Sequence, residues 1–210
     1  MPTDTAVWFD LDGTLVRFPD YGDVLATACA AVGIDGDDAV DSFRDAYDAA
    51  FFDAFDEFAP EPYRRAAAAG LAAVDADADP VPFVAAVREA EYDAAVSPPA
   101  VRPTLSDLAA RADVSVGVCT NGVGEWQRRK LRAAGVAAAV DAVVVSYDVG
   151  AHKPAPEPFA RAEDLLPADH RIMIGDSEAA DVAGASDRGW RGLHVAGPDE
   201  VPDAVEDALE

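Results

Sequence analysis

Short apolar runs alternate with helix-patterned segments along most of the chain. Five runs rich in Val and Ile have the length and composition of buried parallel strands. They are AVWFD at 6–10, SVGVCT at 115–120, AVVVS at 142–146, RIMIGD at 171–176 and GLHVA at 192–196. Helical segments separate the last four runs, namely EWQRRKLRAAG, PEPFARAEDLL and EAADVAGASDRG. This alternation predicts an α/β protein with a doubly wound parallel sheet.

The interval between the first two runs has a different pattern, because it is helical and poor in strand runs. Its apolar residues recur at spacings of three and four, which places them on one face of a helix. They are Val40, Phe43, Tyr47, Phe51, Phe55 and Phe58. We interpret this stripe as the core of a small helical bundle; the alternative is that one or two of its rings line a substrate pocket. The sequence therefore predicts a core domain formed by residues 1–16 and 100–210, and an inserted all-helical domain at 17–99.

The charge of the chain limits its partners and its surroundings. Acidic residues outnumber basic ones 40 to 16, and the formal net charge is -24 at pH 7. Nucleic acid is disfavoured as a partner because phosphate backbones bind clustered Lys and Arg. Acids spread along the whole chain, with only Lys130 and Lys153 as lysines, favour a surface adapted to concentrated salt. We therefore expect a halophilic source, such as a halophilic archaeon.

Two further expectations concern the compartment and the cysteines. No run approaches the roughly 20 apolar residues of a membrane span, and residues 1–5 lack the regions of a signal peptide. We therefore expect a cytoplasmic protein that does not act on a membrane. Cys29 and Cys119 lie in no CxxC or Cys/His cluster, so they are interpreted as core thiols and a zinc site is not predicted.

Polar residues close the predicted strands, at the edge where parallel α/β sheets bind ligands. They are Asp10 and Asp12 after the first run, Thr120 and Asn121 after the second, Lys153 in the loop after the third and Asp176 after the fourth. Packed carboxylates repel one another unless a cation lies among them, and Mg2+ suits such a set. Lys153, the Thr120 hydroxyl and backbone N–H groups around Gly13 and Gly122 would donate to a phosphoryl group. Together these residue types favour phosphoryl transfer.

Four segments resemble the ordered motifs of the haloacid dehalogenase-like superfamily, whose members are mostly phosphatases. The segments are DLDGT, CTNG, HKPAPEPF and GDSEAAD. The segments TNGVGEWQRRKLRAAGV and VSYDVGAHKPAPEPF further resemble the branch that holds nucleotidases, sugar-phosphate phosphatases and phosphoglycolate phosphatase. The resemblance implies a Rossmann-like core with a helical cap inserted between the first and second motifs. It also implies a Mg2+-dependent phosphatase that acts on a small phosphorylated metabolite.

The resemblance also implies catalytic and metal-binding roles. Asp10 would be the nucleophile that forms an aspartyl-phosphate, and Asp12 would be the general acid and then the general base. Asp10, the backbone carbonyl of Asp12 and Asp176 would hold Mg2+. Asp181 would support the waters of the metal or orient Lys153. The positive charge of Lys153 would neutralise negative charge on the nucleophile and the phosphate.

Other residues are predicted to contact substrate. They are Thr120, the N–H of Asn121, Gly13, Gly122 and Arg17. Arg17 and Phe18 leave the first motif and are expected to face its entrance, with a linker charge as the alternative interpretation of Arg17.

Asp12 also bears on which reaction is catalysed. A dehalogenase of this superfamily attacks carbon and needs no proton donor two residues after the nucleophile. Phosphonate cleavage in the family recruits a lysine of the cap, and the insert contains none. Phosphoester hydrolysis is therefore predicted. A phosphosugar mutase is the first alternative, followed by a non-catalytic phosphate-binding scaffold or a dehalogenase. Nucleotides, sugar phosphates and phosphoglycolate remain open as substrates, and the oligomeric state is left open as well.

Overall fold

The structure is a computed structural model that describes residues 3–17 and 20–209. The chain divides into two compact units, one formed by Met1–Phe18 with Ala95–Glu210 and the other by Pro19–Ala94. The predicted insert at 17–99 is thus slightly longer than the second unit. Each unit is described separately below.

The first unit contains a five-stranded sheet. Its strands are β1 (Thr3–Phe9), β2 (Val114–Thr120), β3 (Ala142–Val145), β4 (Ala168–Gly175) and β5 (Arg191–His194). All neighbouring strands are parallel, and their order is β3-β2-β1-β4-β5. The central position of β1 explains the continuous apolar run 6–9 at its carboxyl end, because a central parallel strand is covered on both faces. The predicted doubly wound parallel sheet is confirmed.

Helices cover both faces of this sheet. They are α5 (Val101–Ala109), α6 (Gly124–Ala133), α7 (Ser146–Val149), α8 (Pro156–Leu165), α9 (Gly184–Asp187) and α10 (Val201–Ala208). Successive side chains of β1 point to opposite faces. Val7 and Phe9 lie in one apolar cluster with residues of α5, α6 and α10, while Ala6 and Trp8 lie in another with residues of α8. Because all five strands are parallel, their carboxyl ends lie at the same edge of the sheet, next to the loops that carry the polar residues.

The second unit is helical throughout its named elements. These are α1 (Tyr21–Ala31), α2 (Asp37–Asp56), α3 (Pro62–Ala73) and α4 (Pro80–Ala94). Phe43 and Tyr47 of the predicted stripe are buried, and the Phe43 ring lies 4.5 Å from the Phe83 ring between centroids. Phe58 does not belong to the helix, because α2 ends at Asp56 and the backbone of Phe58 has a left-handed φ of 54°. Within the described residues, the helices are too short or too polar to cross a membrane.

Candidate active site

The carboxyl ends of β1 and β4 bring three carboxylates together. Asp10 follows β1, Asp176 follows β4, and Asp181 lies in a π-helical segment, Glu178–Ala183, just beyond Asp176. One carboxylate oxygen from each residue lies within 4.8 Å of the other two. Asp10 and Asp181 are buried and Asp176 is exposed. Oxygen atoms at this spacing can ligate one hard cation.

Two glycines make room for these carboxylates. A Cβ on Gly13 would lie 2.4 Å from Asp176 Oδ2, and one on Gly175 would lie 2.2 Å from Asp181 Oδ2. Gly13 also has a left-handed φ of +83°, which a side chain disfavours. Thr14 Oγ1 donates to Asp176 Oδ1 at 3.3 Å and holds that carboxylate beside the turn. The DGT sequence after β1 therefore shapes the turn around Asp176.

Lys153 lies between two of the carboxylates. Its Nζ donates to Asp10 Oδ1 at 2.9 Å, to Asp181 Oδ1 at 2.5 Å and to the carbonyl oxygen of Cys119 at 2.6 Å. The Lys153 side chain is buried, so its charge is compensated by the two carboxylates rather than by water. Of the two roles predicted for Asp181, the orientation of Lys153 is the one for which the structure provides a direct contact.

The Asn121 side chain fixes the backbone of Lys153. Asn121 Nδ2 donates to the carbonyl oxygen of Lys153 at 3.0 Å, and Asn121 Oδ1 accepts from the Lys153 N–H at 2.8 Å. The side chain of the residue after β2 thereby places the ammonium group that is delivered from the loop after β3. This contact is additional to the substrate contact predicted for the Asn121 N–H.

Burial and charge shift the acid–base properties of this cluster. Burial raises the pKa of Asp10 to about 7, and the charges of Asp181 and Asp12 add to the rise, while Lys153 opposes it. Burial alone would lower the pKa of Lys153, but the charges of Asp10 and Asp181 outweigh it and raise that pKa. Burial also raises the pKa of Asp176. The cluster therefore carries an excess of negative charge that a bound cation would relieve.

The Asp12 carboxylate belongs to a second, adjacent polar cluster. Lys130 Nζ lies 2.8 Å from Asp12 Oδ1 and 2.9 Å from Asp12 Oδ2. Gln127 Nε2 donates to Asp12 Oδ2 at 2.7 Å and also lies 3.2 Å from Thr120 Oγ1 and 3.2 Å from the carbonyl oxygen of Asn121. Asp12 thus has its own cation and is tied through one amide to the end of β2.

The N–H groups of the two glycines predicted to contact substrate have partners within the protein. The Gly13 N–H donates to the carbonyl oxygen of Val16 at 2.9 Å, and the Gly122 N–H donates to Ser146 Oγ at 2.9 Å. Both N–H groups are engaged within the protein, so a phosphoryl group would have to use neighbouring N–H groups or replace these bonds. The Gly13 donor closes the turn after β1, whereas the Gly122 donor connects the loop after β2 to Ser146 at the start of α7.

The partner of Arg17 in the structure is an acidic residue of the same unit. Its exposed guanidinium forms an ion pair with Asp199, in the turn that precedes α10. This partner favours the interpretation of Arg17 as a surface charge of the core unit over that of a substrate ligand. The companion prediction for Phe18 lies outside the described residues.

Sequence reasoning missed Gln127 and Lys130, although a signal for both was available. The chain has one asparagine, one glutamine and two lysines. All four side chains meet at the ends of β1 and β2, through contacts with Asp10, Asp12 or the Lys153 backbone. The scarcity of these residue types in the chain was therefore the available signal.

Comparison with known proteins identifies the family. The haloacid dehalogenase-like hydrolase family matches residues 5–189. The chain belongs to this family. The predicted family membership and its hydrolase class are thereby confirmed.

Curated relatives of this hydrolase resemble part of it. Phosphoserine phosphatase from Thermus thermophilus is 36% identical over 103 residues, which are 45% of this chain and 41% of the relative. Ribulose-1,5-bisphosphate 5-phosphatase from Halopiger xanaduensis is 33% identical over 114 residues, which are 52% of this chain and 46% of the relative. The chain therefore spans less than half the length of these relatives.

Solved structures share the fold over nearly the whole chain. The putative HAD-hydrolase YfnB from Bacillus subtilis, solved bound to magnesium, has a TM-score of 0.73 at 20% identity and covers 98% of this chain and 100% of its own. A 2-haloacid dehalogenase from Pseudomonas syringae and an L-2-haloacid dehalogenase from Xanthobacter autotrophicus are among the other structures with this fold. At this level of identity the likeness concerns the fold, so the chemistry has to be argued from the site.

Proposed function

We propose that this family member is a Mg2+-dependent phosphatase that hydrolyses a small phosphorylated metabolite through an aspartyl-phosphate on Asp10. The observation that carries the proposal is the separate placement of the two carboxylates that follow β1. Asp10 faces Lys153 and the two other carboxylates, whereas Asp12 faces Lys130. A nucleophile and a proton-transfer group need such different surroundings.

The charge balance of the site supports a divalent cation. The three carboxylates of Asp10, Asp176 and Asp181 and the ammonium group of Lys153 leave two formal negative charges, which is the charge that one Mg2+ neutralises. Asp10 and Asp176 would ligate the ion together with the backbone carbonyl of Asp12. Asp181 would not ligate the ion directly but would orient Lys153 through their hydrogen bond. When bound, the ion would supply charge neutralisation for the phosphoryl oxygens and for Asp10.

The proposed reaction has two steps that use the same residues. In the first, Asp10 attacks phosphorus, the ester P–O bond breaks, and the departing oxygen takes a proton from the Asp12 carboxyl. In the second, water attacks phosphorus and gives its proton to the Asp12 carboxylate, and the bond between phosphorus and Asp10 breaks. Inorganic phosphate and an alcohol are the products, and both aspartates return to their starting forms. Thr120 and the Asn121 N–H would bind the phosphoryl oxygens, and Lys153 would offset their charge.

The comparisons support a phosphatase more than the alternatives. Both curated relatives named above are phosphatases of small metabolites, one of an amino acid phosphate and one of a sugar bisphosphate. Asp12 argues against a dehalogenase, because attack on carbon has no use for a proton donor at this position. It also argues against a passive phosphate-binding scaffold, which needs no such donor. The relatives differ in substrate, so the proposal is limited to the class of small phosphorylated metabolites.

The proposal is tested with p-nitrophenyl phosphate and Mg2+. Asp10→Asn should lower turnover by at least about 10³-fold while the protein stays folded, because the nucleophile is lost. The matched control is Asp4→Asn, an exposed aspartate on the same strand, which should retain wild-type turnover. EDTA should abolish wild-type turnover, and added Mg2+ should restore it. Full activity of Asp10→Asn, or of the wild type in EDTA, would disprove the mechanism.

A panel of phosphorylated metabolites then identifies the substrate class and separates hydrolysis from transfer. With a sugar phosphate labelled at phosphorus, a phosphatase releases the label as inorganic phosphate. A mutase would move the label into an isomeric sugar phosphate instead. We expect free phosphate as the labelled product.

A further inference from the structure

Two polar side chains of α6 are buried against the turn after β1. Gln127 and Lys130 are three positions apart, so they lie on the same face of the helix. Their exposed fractions are 4% and 2%. Removing an ammonium group from water is costly unless a partner compensates it. The partner here is Asp12, a residue of the proposed mechanism rather than a structural acid.

The contacts fix the orientation of the Asp12 carboxylate. Lys130 Nζ bridges both of its oxygens at 2.8 and 2.9 Å, and Gln127 Nε2 reaches Oδ2 at 2.7 Å. An ionised carboxylate has about four acceptor positions. Among the described contacts, Oδ2 accepts two hydrogen bonds and Oδ1 accepts one, so the remaining acceptor capacity is on Oδ1.

The same amide couples Asp12 to the proposed phosphate-binding end of β2. Gln127 Nε2 lies 3.2 Å from Thr120 Oγ1 and 3.2 Å from the carbonyl oxygen of Asn121. The Gln127 side chain packs closely against Gly122, where an added Cβ would lie 2.5 Å from Gln127 Cγ. The proton-transfer carboxylate and the residues proposed to bind phosphate thus share one hydrogen-bonding partner, the Gln127 amide.

We propose that Lys130 and Gln127 are positioning residues that hold Asp12 for proton transfer, with Oδ1 as the oxygen that exchanges the proton. The inference rests on the proposed phosphatase function. Asp12 sits on a turn, and its side-chain torsions would be freer without these two partners. Misplacement of a reacting group by about 1 Å can lower a rate by about 10²-fold. Lys130 and Gln127 therefore affect catalysis through Asp12 and do not themselves contact the reacting atoms.

The leaving group of the substrate distinguishes this role from a structural one. Glycerol 2-phosphate releases an alkoxide that must be protonated, whereas 2,4-dinitrophenyl phosphate releases a stable phenolate that needs no proton. For Lys130→Met we expect kcat/KM to fall about 10²-fold or more with the alkyl ester and less than about 5-fold with the dinitrophenyl ester. The second step still needs Asp12 as a base, so the variant should also release a burst of dinitrophenolate before a slow steady state.

Two further variants provide the control and a second, independent test. Arg129→Met removes an exposed cation of the same helix that pairs with Glu125. It should change kcat/KM by no more than about 2-fold with either ester. Gln127→Leu removes no charge, and it should show the same dependence on leaving group with a loss of about 10-fold. If Lys130→Met fails to fold, as judged by circular dichroism and thermal melting, Gln127→Leu decides the question.

A double-mutant cycle shows whether Lys130 acts through Asp12. In an Asp12→Asn background, Lys130→Met should cause little additional loss of kcat/KM. Equal losses with both esters, no loss with either, or full additivity with Asp12→Asn would overturn the positioning role. None of these outcomes affects the phosphatase proposal, which fails instead if Asp10→Asn retains turnover.

Discussion

A methyl group at Gly13 should damage the proposed metal site more than it damages the fold. The Cβ of Gly13→Ala would lie 2.4 Å from Asp176 Oδ2 and 2.7 Å from Asp176 Cγ. Asp176 is on the exposed side of the cluster, so its carboxylate can rotate away from the methyl group. That rotation would withdraw one of the three carboxylates that approach within 4.8 Å of one another.

Gly13→Ala should change two free energies, that of the backbone conformation and that of metal binding. A side chain in the left-handed region costs about 1–2 kcal/mol, which lowers the melting temperature by about 2–8 °C in a chain of this size. A metal at 100 times its dissociation constant stabilises the native state by about 2.7 kcal/mol. Gly13→Ala should pay the backbone cost and should lose most of the stabilisation by the metal. Turnover with Mg2+ should fall together with this stabilisation by the metal.

Gly189→Ala is the matched control. Gly189 has a nearly equal φ of +77°, and among the described residues, apart from its two chain neighbours, no atom lies within 4 Å of a Cβ built there. It should therefore show the same backbone cost but keep the full Mg2+-dependent rise in melting temperature, measured by calorimetry with and without EDTA. If Gly13→Ala keeps the Mg2+-dependent rise and the turnover of Gly189→Ala, the assignment of Asp176 to the metal is refuted.

Two other predictions concern pH and salt. The pKa of Asp10 is raised from 3.8 to about 7 without metal, so the folded protein keeps a proton that the unfolded chain loses, and the free energy of unfolding should fall as pH rises between these values. Urea denaturation in EDTA should show Asp10→Asn gaining stability relative to wild type from pH 5 to pH 7.5; an unchanged difference contradicts the burial argument. The net charge of -24 should repel an anionic substrate at low salt. Because the Debye length shrinks from about 10 Å at 0.1 M to about 3 Å at 1 M, KM should fall as KCl rises, and a constant KM would contradict this.

The sequence predicted the sheet well because its signals are local. Apolar runs bounded by polar residues mark buried strands, and the carboxyl end of each strand is then known without coordinates. Helix ends were less predictable. Phe58 fits the apolar spacing of α2, but a left-handed backbone ends the helix before it, and spacing alone carries no information on φ. The segment 178–189 was predicted as one helix and is a π-helical turn, Glu178–Ala183, followed by α9.

The site was predictable where residues follow strands and less so where they come from helices. Asp10, Asp176 and Lys153 lie together as strand topology requires. Gln127 and Lys130 lie on a polar helix, and the sequence does not say which of its faces turns toward the sheet edge. Tertiary packing makes that choice, so only the scarcity of these residue types in the chain could have drawn attention to them.

The scarcity of amide and ammonium side chains gives the protein a built-in set of spectroscopic reporters. Its single asparagine, single glutamine and two lysines all belong to the two clusters around Asp10 and Asp12. Selective 15N labelling of these three amino acids would yield two side-chain amide groups and two ammonium groups, every one of them within the candidate site. Nuclear magnetic resonance could then follow the Lys153 loop and the Asp12 support separately during ligand addition, without a full resonance assignment.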